Sequence, residues 1–327
     1  MASSKVFFFE VFEEEERSLR LYAPPDWNCT YLRESIQESG LRHPPCDVIS
    51  IRTQSMIPDA WSPGLRAIFS RSAGFDHLQA FTRRTGSAVK TGHLFRYSGR
   101  AVAEQAALLW LALLRKLPAM QRAMRSFSRD GLTGRECAGR TLAVIGAGDI
   151  GRQVAEVARG LGMKTLAVDL VERHADLHYV TRDEALAAAD VVVCAMNLTR
   201  DNHDYFSESV LRLCRPGAIF INVARGEFAR SSVLLKLLKE GHLGGVGLDV
   251  YFDEPVIGPA LRSGALPPDA PEISALLDLL RREDAILTPH NAFNTTEAVD
   301  RKSAQTIAQL KHFFSCGNFS TQALSEL

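Results

Sequence analysis

The chain has 327 residues, a length that fits two domains of ordinary size better than one. It carries 38 basic and 38 acidic side chains, so its net charge is zero and no bulk field would hold it on nucleic acid or on an anionic membrane. The six cysteines are scattered, without the spacing of a metal site or a disulfide framework, and predict reduced thiols. We therefore expect a cytoplasmic protein that captures any anionic ligand locally.

The N-terminal third contains short apolar segments that alternate with polar and helical stretches, a pattern that predicts a small open sheet. The segments are KVFFFEVF, CDVISIRT, LRAIFSRS and AVKTGHL. The stretch 101–125 that follows is apolar and helix-forming, and it predicts one long linking helix. The charged runs at 13–16 and 281–284 are interpreted as solvated surface.

From about Thr141 onward, apolar runs rich in Val, Ile and Ala alternate with helical patterns. Such alternation predicts an α/β fold in which helices cover both faces of a parallel sheet. The runs are TLAVIGAG, KTLAVD, ADVVVCAM, GAIFINVA, GGVGLDV and DAILTPH.

A glycine-rich segment, VIGAGDIG at 144–151, lies directly after the first of these runs and at the start of a helical pattern. Its backbone can approach a pyrophosphate on the helix N-terminus, so it predicts a dinucleotide site. The next strand ends at Asp169, followed by Leu170; the Asp169 carboxylate would bind ribose hydroxyls and repel a 2′-phosphate. This favours NAD over NADP, although the nearby Arg173 leaves NADP open. The predicted pyrophosphate loop comprises Gly146, Gly148, Asp149, Ile150 and Gly151.

Three polar residues follow later apolar runs: Arg225 in NVARG, Glu254 in DVYFDEP and His290 in LTPH. Each alone could be a turn or surface residue, but parallel strands deliver them to one rim of the sheet, where such folds bind ligands. Together they supply what oxidation of a 2-hydroxy acid needs: a cation for the carboxylate, an imidazole that moves a proton and a carboxylate that tunes the imidazole. This chemistry requires no metal, and no ligand cluster in the sequence suggests one.

Five motifs carry a family resemblance: RSAGFD (71–76), YSGRAVAE (97–104), NVARG (222–226), LDVYFDEP (248–255) and TPHNAFNTT (288–296). On these motifs the chain resembles the D-isomer-specific 2-hydroxyacid dehydrogenase family. It is most similar to the D-lactate dehydrogenase branch, because Ala292 and Phe293 stand where other members usually carry two glycines.

The resemblance implies two Rossmann-like domains, with an NAD-binding domain (98–290) inserted into a discontinuous substrate domain (1–97 and 291–327). It implies that Arg225, Glu254 and His290 are catalytic. The apolar residues of the linking helix exceed what one face needs, which predicts either a homodimer interface or burial within one subunit. The substrate pocket would be lined by Ala73, Gly74, Tyr97 and Phe293. The residues implied to flank the cofactor are Met196, Asn197, Asn202, Val223, Ala224 and Asp249, of which Asn202 could equally be a turn residue.

Two departures from the family pattern leave the substrate open. Asn197 replaces a proline, and Ser98-Gly99-Arg100 replaces Ser-Pro, which adds a cation near Tyr97 and leaves open a larger or more acidic 2-oxo acid than pyruvate. Alternative functions are reduction of hydroxypyruvate or glyoxylate, oxidation of 3-phosphoglycerate, and a non-catalytic NAD(H)-sensing binding protein of the same fold. The intact set of Arg225, Glu254 and His290 favours the enzyme.

Overall fold

The computed structural model describes residues 4–265 and 270–322, and the chain divides into two compact units. The first unit comprises Met1–Tyr97 and Asn294–Leu327, and the second comprises Ser98–Phe293. Each unit contains one sheet in which all paired strands are parallel. The predicted α/β class with two parallel-sheet domains is therefore confirmed.

The first unit contains a five-stranded sheet of order β2-β1-β3-β4-β5. Its strands are β1 (Lys5–Phe8), β2 (Asn28–Tyr31), β3 (Val48–Ile51), β4 (Ala67–Ser70) and β5 (Lys90–His93). Four of them lie in the predicted segments. The edge strand β2 was not predicted, because its residues are only partly buried and form no apolar run.

The helices of the first unit include α1 (Glu13–Tyr22) and α2 (Asp76–Thr85). Helix α1 corrects the interpretation of residues 13–16 as solvated surface, because Glu15 is completely buried. Glu15 and Leu19 lie one helical turn apart on the inward face of α1, and this spacing takes the third glutamate of the run into the core.

The second unit contains a six-stranded sheet of order β11-β10-β9-β8-β6-β7. All six predicted runs form strands, and those of β8 and β9 are buried throughout, as expected for central strands covered on both faces. The strands are β6 (Thr141–Ile145), β7 (Lys164–Val168), β8 (Val191–Cys194), β9 (Ala218–Asn222), β10 (Leu243–Leu248) and β11 (Ala285–Leu287).

The prediction of one linking helix over 101–125 is wrong. The chain forms α3 (Gly99–Leu114) and α4 (Leu117–Ala123), separated at Lys116, whose backbone is left-handed with φ +55°. Pro118 consequently lies in the first turn of α4, where its missing N–H disrupts no helical hydrogen bond. The remaining helices of this unit are α5 (Asp149–Gly160), α6 (Arg182–Ala188), α7 (Glu208–Leu211), α8 (Ser231–Lys239), α9 (Glu254–Ser263) and α10 (Pro271–Leu280).

The last helix, α11 (Thr296–Cys316), belongs to the first unit and packs against α1. It contributes Lys302 to a buried ion cluster that we define as Glu15, Arg71 and Lys302, all three side chains being fully buried. The Glu15 Oε1 atom lies 2.8 Å from Arg71 Nε and 2.6 Å from Lys302 Nζ. Within the described ranges, no helix combines the length and apolar character that a membrane span requires.

Candidate active site

The predicted catalytic and cofactor residues of the second unit follow the C-terminal ends of its strands. Since every strand pair in this sheet is parallel, these ends lie along one edge. The glycine-rich loop follows β6, Asp169 follows β7 and Met196 follows β8; Arg225, Asp249 and His290 follow β9, β10 and β11.

The glycine-rich loop has the shape that a bound pyrophosphate needs. Gly146 has φ +94°, and a Cβ there would lie 2.6 Å from the Met196 nitrogen, whereas a Cβ on Gly151 would lie 2.0 Å from the Gly146 oxygen. Gly148 precedes α5, and the space where its Cβ would lie is open to 4 Å. Two glycines therefore permit close packing, and the third leaves room for an anion at the helix N-terminus, which Asp149 and Ile150 begin.

Asp169 connects the end of β7 to the glycine-rich loop. Its Oδ2 accepts a hydrogen bond from the Ala147 N–H at 2.7 Å, and its Oδ1 accepts one from the Val171 N–H at 3.2 Å. Leu170 beside it is fully exposed. Each carboxylate oxygen retains acceptor capacity, so Asp169 can still bind a ribose hydroxyl.

Asn202 closes the turn that follows β8. Its Nδ2 donates to the Asn197 carbonyl at 2.9 Å, and its Oδ1 accepts from the Thr199 N–H at 2.8 Å. The turn role left open for Asn202 is therefore present in the structure, and it holds in place the segment that contains Met196 and Asn197.

Glu254 and His290 form a close acid–imidazole pair. His290 Nδ1 lies 2.6 Å from Glu254 Oε2, and both side chains are largely buried. Burial alone would raise the pKa of the Glu254 carboxyl, but the charge and hydrogen bond of His290, the Tyr251 N–H and the Arg225 guanidinium outweigh it and leave that pKa below its ordinary value. The pair therefore favours an ionised carboxylate beside the ring, with Nε2 as the ring atom that Glu254 does not contact.

Arg225 is held by the turn that follows β9. Asn222 makes two hydrogen bonds within this turn. Its Nδ2 donates to the Arg225 carbonyl at 2.8 Å, and its Oδ1 accepts from the Ala224 N–H at 3.1 Å. The turn also contains Val223, which is buried like Ala224. Asn222 thereby fixes the backbone from which the Arg225 side chain extends.

Gly226 brings this turn against the segment that leads to Glu254. A Cβ on Gly226 would lie 1.8 Å from the Tyr251 carbonyl carbon, so only glycine permits the approach. The guanidinium of Arg225 is close enough to Glu254 to help lower its pKa. The structural role of Gly226 was not predicted, although its position directly after Arg225 was a usable signal.

Asp249 ties the end of β10 to the segment that carries His290. Its Oδ1 accepts from Thr288 Oγ1 at 2.5 Å and from the Asn291 N–H at 2.9 Å, and its Oδ2 accepts from the Ala292 N–H at 2.8 Å. The Tyr251 hydroxyl donates to the Thr288 carbonyl at 2.7 Å. Thr288 and Tyr251 were not predicted as site residues, because their roles depend on which strand ends become neighbours.

The predicted substrate residues are divided between the units. Ala73 and Gly74 follow β4 in the first unit, where Tyr97 also lies and where its carbonyl accepts from Arg301 Nε at 2.9 Å. Phe293 belongs to the second unit, three residues after His290.

The departure at Ser98-Gly99-Arg100 has a packing explanation. A Cβ on Gly99 would lie 2.5 Å from Asp149 Oδ2, so glycine permits close contact between the starts of α3 and α5. The charge of Arg100 is partly compensated, because its guanidinium lies 2.6 Å from a Glu104 oxygen and 3.8 Å from a Glu156 oxygen.

The second unit thus combines an anion-accommodating glycine loop with a carboxylate-bound imidazole and an arginine on one sheet edge. Such an arrangement can hold a nicotinamide dinucleotide, transfer a proton at a ring nitrogen and bind a carboxylate. Among the residues that the structure describes, no group of three His, Cys, Asp or Glu side chains could hold a metal ion.

Residues 107–292 match the family model described as the NAD-binding domain of D-isomer specific 2-hydroxyacid dehydrogenases. The chain is 30% identical to a D-lactate dehydrogenase of Lactiplantibacillus plantarum, over 79% of this chain and 78% of that protein. It is also 30% identical to an aromatic 2-oxoacid reductase of Clostridium sporogenes, over 76% of each.

A solved structure with the same fold is that of Aquifex aeolicus D-lactate dehydrogenase complexed with NAD and lactic acid. It aligns with a TM-score of 0.83 and 27% identity, over 96% of this chain and 98% of that one. The match covers both units. The chain therefore belongs to the D-isomer-specific 2-hydroxyacid dehydrogenase family, and it is an NAD-dependent enzyme of that family.

Proposed function

We propose that the enzyme reduces a 2-oxo acid to the corresponding D-2-hydroxy acid with NADH, and that Arg225, Glu254 and His290 carry the reaction. The observation that supports this most directly is the 2.6 Å contact between His290 Nδ1 and Glu254 Oε2 at the edge of the nucleotide-binding sheet. A carboxylate on one ring nitrogen fixes the ring and leaves the other nitrogen available for proton transfer.

When bound, NADH supplies the hydride that adds to the substrate carbonyl carbon. The His290 imidazolium gives its Nε2 proton to the carbonyl oxygen, and the product is the hydroxy acid. The Glu254 carboxylate stabilises the charged ring before this transfer. The planar guanidinium of Arg225 binds the substrate carboxylate and polarises the carbonyl. Oxidation follows the same path in reverse, with neutral His290 accepting the hydroxyl proton.

We assign cofactor binding to residues 98–290. Open space above Gly148 at the start of α5, and the carboxylate of Asp169 beside it, support this assignment. The proposed cofactor residues are Gly146, Gly148, Asp149, Ile150, Gly151, Asp169, Leu170, Met196, Asn197, Asn202, Val223, Ala224 and Asp249. The negative charge of Asp169 favours NAD, since it would repel a 2′-phosphate.

We assign substrate binding to residues 1–97 and 291–327, with Ala73, Gly74, Tyr97 and Phe293 lining the pocket. The proposed substrates are 2-oxo acids with apolar side chains, which accords with relatives named for lactate and for aromatic 2-oxo acids. The ion pair between Arg100 and Glu104 argues against a substrate selected through that cation.

We further propose a cytoplasmic homodimer. Leu108 of α3 is a large apolar side chain that is half exposed, and a second copy would cover it. The six cysteines are free thiols, which suits a reducing compartment. Sedimentation velocity with the wild type and Leu108→Arg tests the assembly: a dimer that the substitution converts to monomer supports it.

The decisive experiment is a panel of 2-oxo acids assayed with NADH and NADPH in parallel. The panel contains pyruvate, 2-oxoisocaproate, phenylpyruvate, hydroxypyruvate and glyoxylate, and the product configuration is determined by chiral chromatography. We expect D-product and a higher kcat/KM for branched or aromatic acids than for glyoxylate. Tight NADH binding without turnover of any acid would instead identify a non-catalytic NAD(H) sensor.

A further inference from the structure

Three arginines lie around one buried carboxylate at the edge of the second sheet that is opposite the candidate active site. Arg140, Asp190 and Gly217 directly precede β6, β8 and β9, which are neighbours in the sheet. Since these strands are parallel, their N-terminal ends lie together, at the edge opposite the strand ends that the catalytic and cofactor residues follow. We define the arginine cluster as Arg135, Arg140 and Arg215 with Asp190, all of which belong to the second unit.

The Asp190 carboxylate joins two of the arginines. Its Oδ1 lies 3.0 Å from Arg140 Nη1 and 3.2 Å from Arg215 Nη1, so two guanidinium groups meet at a single oxygen atom. Its Oδ2 accepts a hydrogen bond from the Thr141 N–H at 3.0 Å. Asp190 is buried, and both of its carboxylate oxygens are therefore engaged by the fold.

Arg135 adds a third positive charge at the same place. Its Nη2 donates to the Gly217 carbonyl at 3.1 Å, and this bond contains no negative charge. Burial lowers the pKa of the Arg135 guanidinium; among the charges, Arg140 lowers this pKa more than Asp190 raises it, and Arg215 lowers it further. An arginine side chain stays protonated in proteins, so the cluster retains positive charge that Asp190 does not compensate.

The arginine cluster also has spare hydrogen-bond donors. Each guanidinium has five N–H groups, yet within the described ranges the three groups make four hydrogen bonds. Two of these bonds go to Asp190, and the others go to the carbonyls of Gly217 and Glu136. The side chains of Arg140 and Arg215 are 30% and 50% exposed, so a solute can reach them.

The charge of the cluster matches one class of anion. Three guanidinium charges and one carboxylate charge leave two positive charges. A phosphate group carries a charge of about −1.5 to −2 near pH 7, and its oxygens fit the planar fork of an arginine. A monocarboxylate, such as the proposed 2-oxo acid substrate, would leave one positive charge uncompensated.

We propose that the arginine cluster binds a phosphate group, either as free phosphate or as a phosphate monoester. This site is separate from the glycine-rich loop, because the two lie at opposite edges of the same sheet. Phosphate and NADH should therefore bind at the same time. A bound anion relieves the repulsion between the arginines, and it stabilises the folded second unit because the unfolded chain has no such site.

Phosphate titration of the enzyme with saturating NADH tests the proposal, since NADH then occupies the glycine-rich loop. Sodium chloride keeps the ionic strength constant, and we expect a saturable rise in melting temperature and one binding event by calorimetry. Arg135→Gln and Arg215→Gln should each weaken phosphate binding roughly tenfold, because a charge-assisted hydrogen bond is lost. Arg281→Gln is the matched control, since it makes the same change of charge at an exposed position of the same unit.

Asp190→Asn provides a second test whose sign differs from that of a purely structural cluster. The substitution removes the anion that competes with phosphate, while the amide oxygen can still accept from the Thr141 N–H. We expect a lower melting temperature without phosphate, but roughly tenfold tighter phosphate binding, so that phosphate restores much of the lost stability. Glycerol 3-phosphate, titrated in parallel, distinguishes the sources: a lower Kd than that of phosphate points to a monoester, and a higher one to free phosphate.

Three results would overturn the proposal. The first is equal phosphate affinity in Arg135→Gln and Arg281→Gln. The second is phosphate binding that saturating NADH abolishes, because the anion would then lie at the glycine-rich loop. The third is an Asp190→Asn protein whose melting temperature phosphate does not raise.

Discussion

His290 Nδ1 and Glu254 Oε2 lie 2.6 Å apart, and each residue depends on a left-handed backbone position. His290 itself has φ +51°, and Asp253, directly before Glu254, has φ +59°. Non-glycine residues seldom adopt this conformation, and its cost is tolerated where surrounding contacts determine the backbone. Both sides of the pair are thus held by the hydrogen bonds of neighbouring strand ends rather than by local preference.

Replacing His290 should remove the proton-transfer step and leave the cofactor site intact. We expect His290→Ala to lower kcat by roughly 10²–10⁴-fold, the usual contribution of a positioned acid or base. The Kd of NADH, measured by fluorescence titration, should change less than threefold. His178→Ala, at an exposed histidine, serves as the control. Equal activity of the two variants would remove His290 from the mechanism.

Glu254→Gln should change the pH dependence of reduction. The pKa of the Glu254 carboxyl lies below its ordinary value, so an ionised carboxylate faces the ring, and its loss should move the alkaline limb of the kcat/KM profile to lower pH. The sign follows because reduction needs the protonated ring, and a neutral amide stabilises that form less. A profile superimposable on that of wild type would show that Glu254 does not tune the ring.

Asp169→Asn should relax the choice of cofactor. The asparagine keeps an oxygen for the Ala147 N–H but removes the charge that opposes a 2′-phosphate. We expect kcat/KM for NADPH to rise about tenfold relative to NADH, since one removed like charge contributes on the order of 1 kcal/mol. An unchanged ratio in parallel assays would locate cofactor selection at other residues.

Gly226→Ala should impair catalysis through the backbone. The added Cβ would overlap the Tyr251 carbonyl carbon, so the turn with Arg225 must move away from the segment before Glu254. We expect kcat/KM to fall at least 100-fold, as geometric misplacement of a catalytic group commonly causes. Gly160→Ala is the matched control, because no atom lies within 4 Å of the new Cβ. Similar activity of both variants would contradict the assigned role of Gly226.

Substitutions at two members of the buried ion cluster, Glu15 and Lys302, should have opposite effects on the free energy of unfolding. Glu15→Gln removes the carboxylate that faces Arg71 and Lys302, and should lower the free energy of unfolding by about 3–5 kcal/mol. Glu14→Gln, its exposed neighbour, should change that free energy little. Calorimetry of both variants provides the comparison, and similar melting temperatures would contradict the prediction.

Burial lowers the pKa of Lys302 from 10.5 to about 7, against the attraction of Glu15. Between these two values the unfolded chain binds a proton that the folded chain does not, so Lys302 makes stability rise with pH in this window. We expect Lys302→Met to be more stable than wild type at pH 7, and the difference to shrink towards pH 9.5. If the melting temperatures of the two proteins changed in parallel between pH 7 and pH 9.5, the lowered pKa of Lys302 would be refuted.

Strands and loops with a local sequence pattern could be predicted from the sequence. Contacts between residues that are distant along the chain could not. The six strands of the second unit and the glycine loop were readable because parallel strands covered on both faces are near-continuous apolar runs and glycines mark close approach. The pairing of Glu254 with His290 followed from parallel strand ends meeting at one edge. The contacts of Asp249 with Thr288, and of Gly226 with Tyr251, depend on the register of neighbouring strands, which periodicity does not encode.

Glu15 illustrates the same limit. A run of four glutamates has the composition of a solvated surface, and only the direction in which α1 faces takes one of them inward. Its partners lie 56 and 287 residues further along the chain, beyond the reach of any local pattern.

The ion cluster also affects the order in which the two units can fold during synthesis. Because Lys302 lies in α11, the core of the first unit lacks one of its members until residue 302 has been synthesised. The second unit, Ser98–Phe293, is complete earlier and can fold while the N-terminal segment still waits for its last helix. The nascent second unit, which contains the residues matched by the NAD-binding family model, would then be able to bind NAD before the first unit is complete.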